Sequence, residues 1–292
     1  MPSDGNLIID DVEQAMSRMS ALGREISAQA VEAVRAAVLS FAQRRGWLVL
    51  PYALCADWAT KILAEDQRSW VLLDPLLPVG IANARVTSIR VTRGYDPRPD
   101  FLAGHITPNN AVELVPTSGD VGIIDDAAAS GRTLRHVAGL IQQAGGRLTR
   151  VAVCASSREA RTTMSRTTSM MKWSEYYPGD WTIIHLRDGC PHLPFSGRPS
   201  GESRVGGTVG AGVDVRFPPT VAASSLWQVL ALDSSIRDAM RFARWTVATQ
   251  LGESVGHPAR VGDLATLGRD VPALIDTSMR VAADSELLSL MS

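Results

Sequence analysis

Residues Val121 to Leu134 read VGIIDDAAASGRTL, and this stretch decides how the chain is interpreted. An apolar run ends in two adjacent carboxylates, Asp125 and Asp126, and small residues followed by Ser-Gly-Arg-Thr come directly after them. Carboxylates are rarely left beside a buried strand without a partner. The pattern therefore predicts a strand from Val121 to Ile124 whose carboxyl end carries a site.

The composition is typical of a folded protein, with 45% hydrophobic and 20% charged residues among 292. The net charge of -1 does not favour general nucleic-acid binding, although a local arginine patch stays an alternative. Cys55, Cys154 and Cys190 lie far apart, which predicts neither a disulfide framework nor a zinc site. With no signal-like N-terminus and no long apolar run, we expect a cytoplasmic protein that does not enter the membrane.

Apolar periodicity predicts four segments along the chain: an N-terminal helical region (1–66), an α/β core (67–198), a Gly/Ser/Pro-rich linker or loop (199–215) and a C-terminal helical region (216–292). In the core, short β-branched runs alternate with helical patterns, which indicates a parallel sheet. The predicted strands are Trp70–Leu73, Thr87–Val91, Val112–Val115, Val121–Ile124, Val151–Ala155 and Thr182–His185. The fold class expected is α/β, with a mainly parallel twisted sheet flanked by helices and helical additions at both ends.

Helices are predicted around and within this core. Two amphipathic helices between Ile8 and Arg45 are separated by a break near Gly23 to Ser27, and a third helix covers Leu54 to Asp66. The other predicted helices are Leu134–Ala144, Ser157–Thr168, Ser224–Gln250 and Pro272–Leu290.

The loop after Ile124 combines two kinds of ligand-binding group. A helix starting at about Gly131 presents free N–H groups and a positive dipole end, which suit a phosphate, and Ser130 and Thr133 add hydroxyl groups. Ionised carboxylates at Asp125 and Asp126 suit vicinal hydroxyls, because each can accept hydrogen bonds from them. A ligand with a phosphate near a pair of vicinal hydroxyls is a ribose 5-phosphate, so we expect the loop to bind one.

Val121 to Thr133 resembles the phosphoribosyl pyrophosphate (PRPP) signature of the type I phosphoribosyltransferases: four mostly apolar residues, two acids, a small loop and Ser/Thr-Gly-x-Thr. The resemblance implies that Asp125 and Asp126 hold the ribose hydroxyls in catalysis and bind Mg²⁺, directly or through water. It also implies that the 5-phosphate is bound by Ala127, Ala128, Ala129, Ser130, Gly131, Arg132 and Thr133. An ordinary strand-to-helix turn with a capping acid is the alternative.

The same resemblance extends to Trp70–Ala84, where the family has a pyrophosphate-binding loop. The residues at that place are Asp74, Pro75, Leu76 and Leu77, whereas many members have Arg-Gly-Gly or Lys-Gly-Gly. Asp74 adds negative charge and Pro75 removes an N–H donor. Three explanations stay open: magnesium bridges Asp74 to pyrophosphate, the loop is displaced, or transfer chemistry has been lost.

Two further regions carry candidate residues. The interval Gly94–Pro108 stands where the family has a mobile catalytic loop, and Arg93 and Arg98 would supply positive charge to the leaving pyrophosphate. Tyr177 and Trp181 are candidates for stacking on the base, with core packing as the alternative. The side chain of Ala129 cannot exchange a proton with a base, so the identity of the base stays open.

The resemblance implies an enzyme that binds PRPP with Mg²⁺ and transfers ribose 5-phosphate to a nitrogenous acceptor, such as a nucleobase, releasing pyrophosphate. A homodimer is expected by analogy. Two alternatives stay open. One is a non-catalytic PRPP or nucleotide sensor whose helical ends bind a partner protein, and the other is a nucleotide-consuming effector controlled by a partner.

Overall fold

The computed structural model describes residues 4–66, 68–74, 76–77, 85–88, 119–167, 171–190, 193, 230, 232–259, 263 and 266–267. The predicted strand at 112–115, the linker at 199–215 and the helix at 272–290 lie outside these residues. No helix among the described residues is both long and apolar enough to cross a membrane.

The described elements are, in chain order, β1 (Asp4–Asp10), α1 (Val12–Ser17), α2 (Ala21–Arg45), β2 (Leu48–Pro51), α3 (Tyr52–Glu65), β3 (Ser69–Leu72), β4 (Arg85–Ser88), β5 (Asp120–Ala128), α4 (Arg132–Gln143), β6 (Arg147–Ser156), α5 (Arg158–Ser165), β7 (Lys172–Tyr177), β8 (Asp180–His185), a short 3₁₀ helix (Leu186–Gly189) and α6 (Ser234–Val255).

The larger sheet has five strands in the order β4-β3-β5-β6-β7, and every neighbouring pair is parallel. β5, which contains the deciding stretch, is central, with Leu72 of β3 opposite Ile124 and Val153 of β6 opposite Asp125. Helices flank this sheet, so the predicted fold class is confirmed. The parallel arrangement brings the carboxyl ends of β3, β5 and β6 to one edge.

Each face of the sheet is covered by helices. On one face α4 and α5 bury an aliphatic core, in which Val137 and Ile141 pack with Ile123 and Val151. On the other face α3 contacts β5 and β6. Gly122 lies under the buried indole of Trp70, where a methyl group would come within 2.5 Å of the ring. The central strand therefore needs a glycine at this position.

The N-terminal helices differ from the prediction in where they break. α2 runs without interruption through Gly23 to Ser27, and the break falls at 18–20, where Ser20 caps α2 by accepting the Gly23 N–H at 2.9 Å. Gly23 is needed for close packing, because a methyl group there would collide with the carbonyl oxygen of Leu267. β1, β2 and β7 are strands that the sequence patterns did not predict.

A second sheet has three strands in the order β2-β1-β8. The predicted core strand Thr182–His185 belongs to β8 and therefore to this second sheet, not to the parallel one.

The described residues form two compact units, Met1–Leu7 with Pro51–Ile183, and Ile8–Leu50 with Ile184–Ser292. The first contains the parallel sheet with α3, α4 and α5. The second contains α1, α2 and α6, and α2 packs along α6. The boundaries of these units differ from those of the predicted segments. α3 belongs to the same unit as the parallel sheet, whereas α1 and α2 belong to the same unit as α6.

At the amino end of the parallel sheet, a charged cluster joins α3, β3 and β6. Asp66 accepts hydrogen bonds from Arg68 at 2.7 Å and from Arg150 at 3.0 Å. Both guanidinium groups lie over the Trp70 ring, 5.8 and 5.7 Å from its centroid. Burial raises the pKa of the Asp66 carboxyl, but the hydrogen bonds and positive charge of the two arginines outweigh it and hold the pKa below its ordinary 3.8. The ionised form is therefore favoured by folding.

Replacing this carboxylate should weaken the fold. We expect Asp66→Asn to lower the free energy of unfolding by about 1–3 kcal/mol at pH 7, because charge-assisted hydrogen bonds to two arginines are weakened. The group's contribution is present above its unfolded pKa and is lost as the pH falls through its lower folded pKa, so the two proteins should begin to converge below about pH 4 and become equal only below that folded pKa. Urea denaturation at several pH values measures both effects. Asp57→Asn on the exposed side of α3 is the control, and an equal loss in both variants would contradict the prediction.

Candidate functional site

The two carboxylates lie in the last part of β5 and not in a loop after it, because the strand continues to Ala128. Asp126 is buried, with 3% of its surface exposed, whereas Asp125 is half-buried. Successive side chains of a strand leave from opposite faces, which explains this difference. Asp125 Oδ1 accepts the backbone N–H of Asp126 at 3.0 Å. The predicted strand-loop-helix arrangement is present, with the strand longer than expected.

The loop between β5 and α4 is held by the residue that precedes α5. The Ser157 N–H donates to the carbonyl of Ala128 at 2.9 Å, and the Ser157 hydroxyl donates to the carbonyl of Ala129. The same hydroxyl accepts the Ala160 N–H at 3.0 Å and so caps α5. One side chain thus joins the loop after β5 to the start of a neighbouring helix.

These bonds also orient the loop's donors. In a trans peptide the carbonyl and the following N–H point in opposite directions, and none of the described peptide bonds is cis. Because the carbonyls of Ala128 and Ala129 face α5, the N–H groups of Ala129 and Ser130 point away from it. Within the described part of the chain neither N–H donates to an acceptor. Such a pair of directed N–H groups suits an anion.

Gly131 completes the loop and begins α4. Its φ of 70° lies in the left-handed region, which disfavours side chains. A methyl group would also lie 2.9 Å from the carbonyl oxygen of Ala160, closer than contacts with real side chains allow. Glycine at this position lets α5 approach the loop. The first N–H group of α4, that of Arg132, donates to the Ser130 hydroxyl at 3.4 Å, and the positive end of the helix dipole lies at this end of α4.

We expect stability to require glycine at position 131 but not at position 139 of the adjoining helix α4. We expect Gly131→Ala to lower the free energy of unfolding by about 1–2 kcal/mol from its positive φ alone, and by more from the contact with Ala160. Gly139 in α4 has nothing within 4 Å of an added methyl group. Gly139→Ala should therefore stabilise the protein by up to about 1 kcal/mol. Urea denaturation compares the two, and equal effects would contradict this account of the loop.

Two buried thiols lie behind the strand ends. Cys55 of α3 and Cys154 of β6 are fully buried. The pKa of the Cys55 thiol is raised far above its ordinary value by a hydrogen bond with Cys154, by burial and by the charges of Asp126 and Asp74. The two carboxylates at the ends of β5 and β3 therefore lie close enough to act on the same thiol. Cys190, in the other unit, also has a raised pKa because of burial and the charges of Asp11 and Asp188.

These thiols should resist alkylation in the native protein. Thiolate is the reacting species. Burial blocks access of the reagent to all three thiols, and the raised pKa values of Cys55 and Cys190 also lower their thiolate populations. Maleimide at pH 7.5 should label none of the cysteines until denaturant is added, whereupon all three should react. Intact-mass spectrometry counts the labels, and rapid native labelling of Cys55 or Cys154 would disprove the buried arrangement.

Asp74 organises the turn at the end of β3. Its Oδ1 accepts the Leu76 N–H at 2.8 Å and its carbonyl accepts the Leu77 N–H at 3.1 Å. The side chain is buried, with 3% exposed. Because Pro75 has no N–H, positions 75, 76 and 77 are left without a backbone donor for pyrophosphate. This turn therefore differs chemically from the glycine-rich loop of the resembling family.

Other predicted site residues have different outcomes. Arg93, Arg98 and Pro75 lie outside the described residues, so their roles stay predictions. Trp181 is 6% exposed, and its ring covers the backbone of Gly5 and Gly179. Its indole N–H donates to the carbonyl of Tyr177 at 3.1 Å. The ring and the N–H of Trp181 thus have partners within the fold, as the core-packing alternative expects, and the ring of half-buried Tyr177 lies 5.5 Å from that of Trp181. Stacking of a base on either residue stays a prediction.

A cluster in the second unit was not found from the sequence. The carboxylate of Asp11, fully buried, accepts hydrogen bonds from His185 Nδ1 at 2.8 Å and from the Arg187 N–H at 2.9 Å, and it pairs with the Arg187 guanidinium at 3.1 Å. Burial and the Arg187 charge lower the pKa of His185, but Asp11 outweighs them and the pKa is raised. Scattered histidines gave no signal for this cluster, because 174 residues separate Asp11 from His185.

The strand end offers oxygen ligands for a metal. Mg²⁺ prefers carboxylate and phosphate oxygens and keeps several waters. Asp125 supplies a half-buried carboxylate of the right chemistry, whereas Asp126 leaves the opposite face of β5 and is buried, so the fit to this ion rests on Asp125.

Comparisons with known proteins give limited similarity. No protein-family model matches the chain, and no curated protein matches it. Among solved structures, the AQ2163 protein from Aquifex aeolicus is 17% identical over 41% of this chain, with a TM-score of 0.31. The match covers 56% of that protein, so the chain spans only about half of its length.

Named enzymes are among the other similar structures. Orotate phosphoribosyltransferase from Aeropyrum pernix is 17% identical, with a TM-score of 0.29, over 42% of this chain and 71% of that one. Adenine phosphoribosyltransferase from Trypanosoma brucei, solved with AMP, pyrophosphate and ribose-5-phosphate, is 16% identical, with a TM-score of 0.31, over 44% and 62%. Similarities at this level assign no activity to the chain.

Proposed function

We propose that the chain binds PRPP with Mg²⁺ at the end of β5 and transfers its ribose 5-phosphate to a nitrogenous acceptor, releasing pyrophosphate. The loop from Ala127 to Thr133 would bind the 5-phosphate, and Asp125 and Asp126 would accept hydrogen bonds from the ribose 2- and 3-hydroxyls. The acceptor would be a nucleobase or a related amine.

The observation that carries the proposal is the orientation of the loop by Ser157. Two peptide N–H groups, at Ala129 and Ser130, point away from α5 and have no acceptor among the described residues. In the chain they follow the two carboxylates of β5 and precede the 12-residue helix α4. Donors for a phosphate next to acceptors for a diol match the two ends of ribose 5-phosphate.

The proposed reaction breaks the bond between ribose C1 and pyrophosphate and forms a bond from C1 to the acceptor nitrogen, which loses a proton. Positive charge develops on the ribose ring as the leaving group departs, so carboxylates near the ring hydroxyls favour that state electrostatically. The loop fixes the phosphate and thereby the position of C1. Bound Mg²⁺ would neutralise charge on the pyrophosphate.

A second candidate function, binding without transfer, is favoured by the turn at Asp74. A leaving pyrophosphate needs donors and cations, and this turn supplies a buried carboxylate and uses the N–H groups of Leu76 and Leu77 internally. A PRPP or nucleotide sensor would need the ribose phosphate site but not stabilisation of the leaving group.

Titration of PRPP with Mg²⁺ into the protein, followed by a pyrophosphate assay with a panel of nucleobases, tests the proposal. We expect Asp125→Asn/Asp126→Asn to weaken binding by about 100-fold or more, because two charge-assisted hydrogen bonds are lost. Asp120→Asn is the matched control, since this carboxylate lies at the opposite end of the same strand and pairs with Arg147. The control should bind as the wild type does.

The outcomes separate the two candidates. Binding with pyrophosphate release supports the transferase, whereas binding without release by any acceptor supports the sensor. Absence of binding, or equal binding by the double variant and the wild type, would refute both. Sedimentation of the same samples measures whether the expected homodimer forms.

A further inference from the structure

A groove lies between α1 and α2 in the second unit. It has a volume of about 370 Å³, and Val12, Met16, Ala28 and Val31 form its apolar floor. Ala28 is exposed and Met16 is half-buried, so part of this floor is open to solvent among the described residues. The charged residues of the groove lie at its two ends, and the two ends differ in sign.

One end of the groove is basic. Arg24, in the first turns of α2, is exposed and lines the groove. Its guanidinium donates to the carbonyl of Met19 at 2.7 Å, and no carboxylate of the described residues pairs with it. Glu25 leaves α2 about 100° further round and does not line the groove. The basic end therefore presents a cation beside the apolar floor.

The other end is acidic. Arg35 lies eleven residues further along α2, about 16 Å from Arg24 at 1.5 Å per residue. It donates to Asp10 at 2.8 Å and to Glu13 at 3.2 Å, and it lies 4.0 Å from Glu32. The side chains of Glu13 and Glu32 are 71% and 70% exposed. One guanidinium is thus shared by three carboxylates, which leaves this end with an excess of negative charge.

This distribution of charge makes the groove complementary to itself. Ala28 is four residues from Arg24 and four from Glu32, so the two charges lie about 6 Å along the helix on either side of it. A two-fold axis across α2 at Ala28 reverses the direction of the helix in the second copy. The basic end of each groove then meets the acidic end of the other, which is what an isologous interface requires. A parallel arrangement would bring like charges together.

The same pattern specifies the occupant. Whatever fills the groove must be apolar in the middle, negative opposite Arg24 and positive opposite Glu32. A second copy of the groove has all three properties at matching spacing. The small side chain of Ala28 at the centre lets two helices approach closely, and the apolar floors exclude water, which strengthens the charge pairs at the ends.

We infer that two copies of the chain associate through this groove, antiparallel about a two-fold axis at Ala28. Arg24 of each copy faces Glu32 of the partner subunit, so the charge pair is formed twice. The interface uses only the second unit of each copy and does not depend on PRPP binding.

Reversing one charge at a time tests this interface in the full-length chain. Arg24→Glu brings carboxylates together at both ends of the dimer, and Glu32→Arg brings guanidinium groups together at both ends. We expect either change to raise the Kd of dimerisation by about tenfold or more, because like charges then face each other twice. Sedimentation velocity at several protein concentrations measures the Kd. The double variant Arg24→Glu/Glu32→Arg exchanges the two charges and should recover most of the lost affinity.

Mixing the two single variants gives a second readout. In a mixed dimer the chain with Arg24→Glu has carboxylates at both positions and the chain with Glu32→Arg has guanidinium groups at both, so both contacts are attractive. Native mass spectrometry separates the three dimers by mass. We expect the mixed dimer to exceed each homodimer by about tenfold or more. Because the same two proteins regain association on mixing, misfolding cannot account for the loss in either one.

Gln29 supplies the matched control. It is exposed and lies about 100° around α2 from Ala28, so Gln29→Glu and Gln29→Arg should leave the Kd unchanged. A wild-type chain that stays monomeric up to about 100 μM would overturn the inference. A dimer that survives both single reversals would assign association to another surface and also overturn it. So would a random mixture of the two variants with no excess of the mixed dimer.

Discussion

Two hydrogen bonds from Ser157 to the carbonyls of Ala128 and Ala129 determine how the candidate site is arranged. They turn the peptide planes so that the N–H groups of Ala129 and Ser130 face away from α5, and they hold the loop close enough that only glycine fits at 131. The parallel pairing of β5 with β6 places Ser157 where it can make both bonds, since Ala128 lies opposite Ser156. The orientation of the loop's N–H groups is thus a consequence of sheet register.

The strand ends concentrate negative charge in a buried place. Asp74 and Asp126 are each 3% exposed, and both raise the pKa of the Cys55 thiol. The Asp74 carboxylate accepts a hydrogen bond from the backbone N–H of Leu76 in its own turn. Asp126 lies at the end of the sheet where α/β proteins bind ligands. This contrast is why ribose binding is better supported than stabilisation of a leaving pyrophosphate.

The described parts of the two helical regions pack together. α2 packs along α6, and Gly23 permits the close approach of Leu267. A contact between residues so distant in the chain joins the N-terminal helices to the C-terminal helix in one unit.

The sequence by itself determined the parallel α/β class and the strand-loop-helix unit at 121–133, because these depend on patterns within a short window: β-branched runs, paired carboxylates and a glycine at the start of a helix. Only the tertiary structure decided the rest. β1 and β2 are strands because of partners far away in the chain, and Gly23 is a packing glycine because Leu267 lies against it. Ser157 orients the loop after Ala128 for the same reason: contacts between distant residues leave no periodic signal in the sequence.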